Sequence, residues 1–503
     1  MKFCHALNGS LNIERDRVHF CVAVKQNLPT IPWNPDEDLP LNRIQTVRDA
    51  MIRDLNGDLD QPVDEYKAYG VSISHSGHPC KGCRHIVDVS PDMEIPSTNQ
   101  LNCYLHLQAF TYCNAKCTYC NLRIDEGQTP LSRGRDLDRA VYRAVSQMLD
   151  SNLIAPTCRV IFSSGEPSLS KEGMEVLSNL TRKGFHTLIN TNAIRFAPEI
   201  ADALKSGKTH VQVSLESGDR DSYVVVKGVD KFDSVAKNVD RYLAAAQNGS
   251  VFWLKYIVYS QTNSRENIDK FVEFCREHQV RNVVVNANYN EGEEVSSNFL
   301  GQCPATQTEN LEEVADLDSL KAFGYLSTKL EMLGINVHKE FAHLTQHEQD
   351  MVKNEYARAV IDALGHSPAA MDVDVANVIK GLEMASLPTE SPVLRRHIAD
   401  LLKETAAKSK GIALFSAGVH ARWICSIMAD LDIKPVVIFD NNAQTPSMLS
   451  YPVAKPTEVS NYDVDAVFIA SNAYHLQIYS QLTQMQDFDG LGVVDPYLNL
   501  PLQ

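Results

Sequence analysis

Cys113, Cys117 and Cys120 stand in the order Cys-x3-Cys-x2-Cys, within Phe-Thr-Tyr-Cys-Asn-Ala-Lys-Cys-Thr-Tyr-Cys-Asn. Three thiolates packed this tightly serve a structural zinc badly, because a closed zinc site takes four ligands. A cubane iron–sulfur cluster has four irons to ligate. Three cysteines therefore leave one iron open, and an open iron can bind and reduce a small molecule. The plain alternative is a cysteine-rich loop with an adventitious metal.

Such a loop needs a frame. From about residue 100 to 300, short β-branched runs alternate with amphipathic helical stretches. Strands are expected over Leu105–Ala109, Val160–Ser164, His186–Asn190, Val211–Leu215, Phe252–Val258 and Asn282–Asn286. Leu137, Val141, Ala144, Val145 and Met148 recur at helical spacing, and further helices are expected near 171–183, 198–206, 232–247 and 265–277. Repeated strand–helix units imply a parallel sheet with right-handed crossovers. In such sheets chemistry collects at the carboxyl ends of the strands. Polar residues do fall there: Ser163-Ser164-Gly165-Glu166-Pro167 after the second strand, Asn190-Thr191-Asn192-Ala193 after the third, and Ser214-Leu215-Glu216-Ser217-Gly218 after the fourth. Lys255 interrupts the apolar fifth strand, and a buried cation needs a partner, either a structural acid or a ligand carboxylate. Asn286 and Asn288 end the sixth.

The cysteine spacing, with Tyr119 before the last cysteine, resembles the radical S-adenosylmethionine (SAM) enzymes, and the strand–helix series resembles their partial (β/α)6 barrel. The resemblance implies a 4Fe–4S cluster on Cys113, Cys117 and Cys120, whose open iron chelates SAM and whose electron cleaves it to a 5′-deoxyadenosyl radical. It implies an electron donor such as flavodoxin or ferredoxin. Ser164, Gly165, Glu166 and Pro167 resemble the Gly-Gly-Glu-Pro segment that holds the SAM ammonium, with Ser164 replacing the first glycine. Asn192 lies in a "TNG"-like segment with Ala193 where glycine is usual. Ser214 and Glu216 are the candidates for the SAM ribose, and Lys255 for a carboxylate of SAM or substrate. Val213–Gly228 and Lys255–Val258 together resemble a branch associated with polysaccharide and glycoconjugate gene clusters.

The chain of 503 residues has room for about three domains. Its formal charge of −16 argues against nucleic-acid binding, which needs clustered Lys and Arg. No apolar run reaches the roughly 18 residues of a membrane span, and the first residues lack a signal-peptide core. A cytoplasmic protein is expected, so its twelve cysteines are expected as thiols or ligands rather than disulfides. Cys275, with Ile268, Phe271 and Val272 on one helical face, reads as core.

Four cysteines precede the barrel. Cys4 and Cys21 bracket what reads as two short strands around a polar turn, and Cys80-Lys81-Gly82-Cys83 is a Cys-x2-Cys knuckle. Brought together they make a four-thiolate site for zinc or a fully ligated iron–sulfur cluster. The arrangement resembles the auxiliary-cluster (SPASM or twitch) modules of radical SAM enzymes, although those usually follow the barrel. Cys103 reads as core.

Residues 301–410 read as mainly helical, and His343, His347 and His366 among their charges read as solvated. From Ile412 the character changes. Ile412–Phe415, Pro435–Phe439 and Asp465–Asn472 read as strands, with Ser416-Ala417-Gly418 after the first and Asp440 after the second. This strand–glycine turn–helix–strand–acid series resembles a Rossmann unit. Ser416 and Arg422 replace fingerprint glycines, which makes NAD a poor fit. The wording is closer to the nucleotide-sugar-binding domains of sugar acyltransferases, and a fold kept for packing or dimerisation is the alternative.

The expected architecture is thus α/β: an auxiliary-cluster module at 1–100, a radical SAM barrel at 101–300, a helical segment at 301–410 and a Rossmann-like domain at 411–503. The expected function is a radical SAM enzyme abstracting hydrogen from a sugar or sugar nucleotide in polysaccharide or glycoconjugate biosynthesis. A peptide-modifying enzyme is one alternative and a non-catalytic iron–sulfur regulator is another.

Overall fold

The computed structural model describes residues 2–14, 17–21, 30–34, 36–57, 80, 86–89, 100–107, 113–120, 131–163, 165–246, 251–287, 317–340, 346–363, 375, 378–381, 384 and 391–498. Ser164, Cys83 and Asn288 lie outside the described residues, as do His343 and His366. The chain divides into two compact units, Met1–Ser319 with His338–Gln349, and Leu320–Val337 with Asp350–Gln503. No described helix is long and apolar enough to cross a membrane.

In the first unit the strands are β1 (Lys2–Phe3), β2 (Ser10–Ile13), β3 (Arg17–His19), β4 (Ile31–Pro32), β5 (Val87–Asp88), β6 (Tyr104–Leu107), β7 (Arg159–Phe162), β8 (His186–Thr191), β9 (Thr209–Ser214), β10 (Phe252–Val258) and β11 (Asn282–Ala287). With β12 (Asn336–Glu340), ten of them form one sheet in the order β12-β11-β10-β9-β8-β7-β6-β2-β3-β4. Strands β6 to β11 are mutually parallel in sequential order, the parallel sheet expected from the strand–helix alternation and consistent with the partial barrel that the resemblance implies. Each interior crossover runs through helix: Leu131–Asp150, Lys171–Arg182, Pro198–Lys205, the pair Arg220–Lys227 and Phe232–Ala245, and Arg265–Glu277.

The outward face of these strands is apolar and sealed by the helices. Val160, Phe162, Val211, Val213, Leu254 and Val283 are fully buried, each contributing about 1.5–3 kcal/mol by leaving water. Local signals set the helix starts. Ser170, Asp219 and Ser264 each accept a backbone N–H in the first turn of their helix, a cap worth about 1 kcal/mol.

The front of the chain joins this sheet. The expected strand–turn–strand between Cys4 and Cys21 is the antiparallel pair β2–β3, and β2 runs parallel to β6, Ser10 opposite Tyr104. Strand β12 was not expected in a segment read as helical. Its sequence, Asn-Val-His-Lys-Glu, has a single apolar residue, so no alternation announced it.

The second unit carries β13 (Ile412–Phe415), β14 (Val437–Phe439), β15 (Ser447–Met448), β16 (Tyr451–Ala454), β17 (Ala466–Ile469) and β18 (Gly492–Val494), ordered β15-β16-β14-β13-β17-β18. All neighbours except β15–β16 are parallel. The central strands are buried on both faces, Val437, Phe439, Val467 and Ile469 toward one core and Leu414, Ile438 and Phe468 toward the other. Near-continuous apolar runs are what a two-sided parallel sheet requires.

Candidate active site

The cysteine loop is pinned by backbone. Lys116 N–H donates to Lys227 O at 2.8 Å and Thr118 N–H to Val226 O at 2.9 Å, so residues 116–118 lie along the end of the helix Arg220–Lys227. That helix stops at Gly228 in the left-handed region, φ 64°. A Cβ there would meet Lys116 O at 2.7 Å and Lys116 Cβ at 2.9 Å. Glycine is required at this position by conformation and by clearance together. The Thr118 hydroxyl adds hydrogen bonds to Tyr259 at 2.8 Å and Gln261 at 2.6 Å.

Beneath the loop sits a buried ionic cluster. Tyr119 OH donates to Glu216 Oε2 at 2.9 Å, Lys227 Nζ donates to Tyr119 OH at 2.8 Å, and Lys227 pairs directly with the same Glu216 oxygen. Glu216 and Lys227 are essentially unexposed. The Lys227 ammonium also lies 5.1 Å from the Tyr119 ring centre, a cation–π contact. Glu216 reaches this position because its own backbone is left-handed, φ 52°. Its second oxygen, Oε1, is buried with no hydrogen-bond partner, a free acceptor beside the cysteine loop.

Glu166 is equally buried but fully engaged. Its Oε1 accepts from Ser168 N–H at 3.1 Å and Thr191 Oγ1 at 2.7 Å, and its Oε2 accepts from Asn192 N–H at 2.7 Å. Burial raises its carboxyl above the usual range against the pull of these donors. Glu166 thereby ties the turn after β7 to the turn after β8. Gly165 takes φ 53° in that turn, and Pro167 opens the short 3-10 helix that follows. From the second turn, Asn192 Nδ2 reaches Asn114 Oδ1 at 2.8 Å and Cys113 Sγ at 3.5 Å. Ala193 adopts φ 55°, the conformation for which glycine is usual there.

Cys113 Sγ also accepts Ala115 N–H at 3.5 Å. Donors aimed at a sulfur suit a metal-bound thiolate, whereas burial, with Glu166, Cys117 and Cys120 nearby, pushes the Cys113 thiol up to about 12. Among the described residues no three His, Cys, Asp or Glu side chains converge on a single metal ion. Thiolates with amide donors, and a buried carboxylate oxygen awaiting a donor, fit a three-cysteine cluster with a hydroxyl-bearing ligand beside it.

The strand registers assemble the rest. Asn190 pairs with Gln212 and Ser214 with Lys255, while Asn286 opposes Ile257 two residues beyond Lys255. Asn190, Gln212, Ser214, Lys255 and Asn286 therefore share one face of the sheet. Asn190 Oδ1 is buried without a partner. Burial lowers the Lys255 ammonium, and the carboxylates of Glu340 and Glu216 oppose that shift, so structural acids stand near it as the first alternative for this residue required. The same face continues through His106 and Asn12 to His19. His106 joins Ser163 Oγ through Nε2 and Asn12 Oδ1 through Nδ1 at 3.1 Å, and Asn12 Nδ2 donates to His19 O at 3.4 Å. Burial takes His106 down to about 3, so it is neutral. Burial would raise Glu14, but His19 and Arg17 hold it at about 2.

Cys4, Cys21 and Cys80 are each buried, and Cys21 O meets His19 Nδ1 at 2.7 Å. Cys275 is core, as expected. Sequence reasoning missed Lys227, Gly228, Thr191 and His106. Lys227-Gly228 carried a usable signal, since Lys-Gly is a helix-ending pair.

Residues 107–293 match the sequence profile of the radical SAM superfamily. The chain is 28% identical over 147 residues to the GTP 3′,8-cyclase of Haemophilus influenzae strain Rd, covering 29% of this chain and 42% of that protein. It is 29% identical over 140 residues to the GTP 3′,8-cyclase of Vibrio cholerae strain O395, covering 27% and 41%. The chain thus spans about two fifths of the length of the curated relatives it matches. Among solved structures it is similar to Streptococcus suis SuiB (16% identity, 63% of this chain and 72% of that one, TM-score 0.34). It is also similar to anSMEcpe with bound AdoMet and a peptide (18% identity, 46% and 60%, TM-score 0.32). The superfamily uses a 4Fe–4S cluster and SAM, and residues 107–293 are a domain of the radical SAM type.

Proposed function

We propose that this protein is a radical SAM enzyme acting on a sugar nucleotide or a related hydroxyl-rich substrate. The observation that carries the reading is the polar face of the barrel sheet, which Asn190, Gln212, Ser214, Lys255 and Asn286 share, with Asn190 opposite Gln212 and Ser214 opposite Lys255. Such a row offers alternating donors and acceptors to hydroxyls and amides rather than an apolar slot. The name of the curated relatives, GTP 3′,8-cyclase, supports a nucleotide as substrate class. The parallel C-terminal sheet, with its turn at Ser416–Gly418 and acid at Asp440, supports a nucleotide-binding unit of the Rossmann type.

A cluster on Cys113, Cys117 and Cys120 with SAM bound would supply a 5′-deoxyadenosyl radical. The chain's own residues do the positioning. Lys227 and Tyr119 fix Glu216 with Oε1 left to accept a hydrogen bond, so that Glu216 and Ser214 would hold the SAM ribose. Glu166 locks the two turns that would hold the SAM ammonium, and Asn192 steadies Cys113. Lys255, near Glu216 and Glu340, tunes the charge facing the substrate. The front cysteines, Cys4, Cys21 and Cys80 with Cys83, are proposed as ligands of a second iron–sulfur cluster, and flavodoxin or ferredoxin as the electron source.

The test is anaerobic 5′-deoxyadenosine formation by the reconstituted protein with a panel of nucleotide sugars. Stimulation by one of them, with deuterium passing from labelled substrate into 5′-deoxyadenosine, is expected. No SAM cleavage after reduction refutes the radical reading, and cleavage without stimulation by any sugar nucleotide refutes the substrate. Alanine at Cys113, Cys117 and Cys120 should abolish cleavage yet leave about four irons per chain. Loss of all iron refutes the second cluster.

A further inference from the structure

The helix that clamps the cysteine loop carries a phenol whose oxygen the fold does not use. Tyr223 lies within Arg220–Lys227 and is fully buried. Its ring packs against Phe232, centre to centre 5.7 Å, and its backbone N–H donates to Asp219 O at 3.0 Å. Among the described residues its hydroxyl has no hydrogen-bond partner. A buried donor left unmade costs about 1–3 kcal/mol. Phenylalanine would fill the same space without that cost, so packing alone does not account for the hydroxyl.

Its position supplies the account. Tyr223 stands one helical turn before Lys227, so the two side chains share a helix face. Lys227 Nζ reaches the Tyr119 hydroxyl at 2.8 Å, and Tyr119 stands between Cys117 and Cys120. The carbonyls of Lys227 and Val226 hold Lys116 and Thr118 of the same loop. This face of the helix is thus the floor of the cysteine loop. Burial raises the Tyr223 phenol, and the charges of Cys117, Glu216, Cys113 and Glu166 raise it further, so at neutral pH it keeps its proton and can donate. Of these neighbours, Glu166 is filled by Ser168, Thr191 and Asn192. Glu216 Oε1 is open, yet it and the Tyr223 hydroxyl do not bond each other. The acceptors that remain are the sulfurs.

We propose that the Tyr223 hydroxyl donates a hydrogen bond to anionic sulfur on the Cys117 side of the 4Fe–4S cluster and thereby sets the cluster's reduction potential. A donor to sulfur favours the state with more negative charge there, which is the reduced one, and so raises the potential. Lys227 already brings a cation beneath the loop, balanced by Glu216. Tyr223 adds a directed dipole without adding net charge, so reduction becomes easier while the buried ion pair stays matched. The inference rests on the cluster assignment and is independent of the substrate.

The experiment is an anaerobic redox titration of the reconstituted full-length protein, followed by electron paramagnetic resonance. The signal of the loop cluster is the part that disappears when Cys113, Cys117 and Cys120 are all alanine. In Tyr223→Phe the reduced-to-oxidised ratio at the wild-type midpoint should drop about tenfold, a fall of about 59 mV for one electron. Electron–nuclear double resonance in deuterated water should show one exchangeable deuteron fewer at the reduced cluster. Cluster-free Tyr223→Phe should unfold at the same or higher urea concentration than cluster-free wild type, because an unmade buried donor has been removed. Easier unfolding with an unchanged potential means that the hydroxyl serves the fold, and overturns the inference. An unchanged potential at normal iron content and with SAM cleavage intact removes this inference alone. A wild-type protein that holds no reducible cluster on the loop removes it together with the radical SAM reading.

Discussion

Replacing Lys227 with methionine isolates the ionic cluster under the cysteine loop. Methionine fills the space of the lysine stem but carries no charge. Glu216, 1% exposed, then keeps its carboxylate with the Tyr119 hydroxyl as its side-chain hydrogen bond and Lys255 acting on it through charge alone, because Oε1 already has no partner. Removing one member of a buried pair costs about 3–5 kcal/mol, whereas replacing both by uncharged groups is often near neutral. Lys227→Met should therefore be the most damaging single change, and Lys227→Met with Glu216→Gln should recover most of the loss. The two units need not unfold together, so the assay is urea-dependent hydrogen–deuterium exchange read on the peptides spanning β9 and β10. The cysteine loop should also loosen, since Lys116 and Thr118 hang from the same helix end. A loss below about 1 kcal/mol, or a double variant as unstable as the single one, refutes the reasoning.

Gly228→Ala forces a methyl group to within 2.7 Å of Lys116 O at φ 64°. The strain is about 1–2 kcal/mol from conformation alone, and iron content after reconstitution should fall. Glu166→Gln turns an amide toward donors that need an acceptor, Ser168 N–H, Thr191 Oγ1 and Asn192 N–H. About 2 kcal/mol or more of stability should go, with SAM affinity measured by equilibrium dialysis falling alongside. His106, held down at about 3 against 6.5 unfolded, takes up its proton more readily when unfolded. Its contribution is complete above pH 6.5 and is lost as pH falls toward 3, by roughly 5 kcal/mol at most. His106→Asn should flatten the stability–pH curve across that window, and an unchanged slope refutes the assignment.

Much of this molecule is legible from spacing alone. Strand β10 and the helix Arg265–Glu277 fall where periodicity puts them, because strands buried on one face and helices with one apolar stripe have sharp signatures. The cysteine loop and the polar residues after each strand are legible because chemistry needs particular residue types at particular places. Lys227 is not, since a buried lysine looks like any surface lysine until Glu216 is seen beneath it. Nor is the His106–Asn12 link, whose partners lie 94 residues apart. The placement of the front strands beside β6 is hidden for the same reason: hairpin signals name the neighbour in sequence, not the strand the hairpin will join. Strand β12 shows the opposite failure, a partly exposed edge with too little apolar content to announce itself.

The front hairpin has a consequence for how the protein is made. Strand β2 leaves the ribosome early, but β6 follows about ninety residues later, and the helix end that clamps the cysteine loop comes 108 residues after Tyr119. At roughly 5–20 residues per second, the loop waits several seconds for its clamp, with three thiols exposed to whatever metal or oxidant is near. Cluster loading is therefore a late event in biosynthesis, and nascent chains halted before Gly228 should emerge from the ribosome without a cluster they can keep.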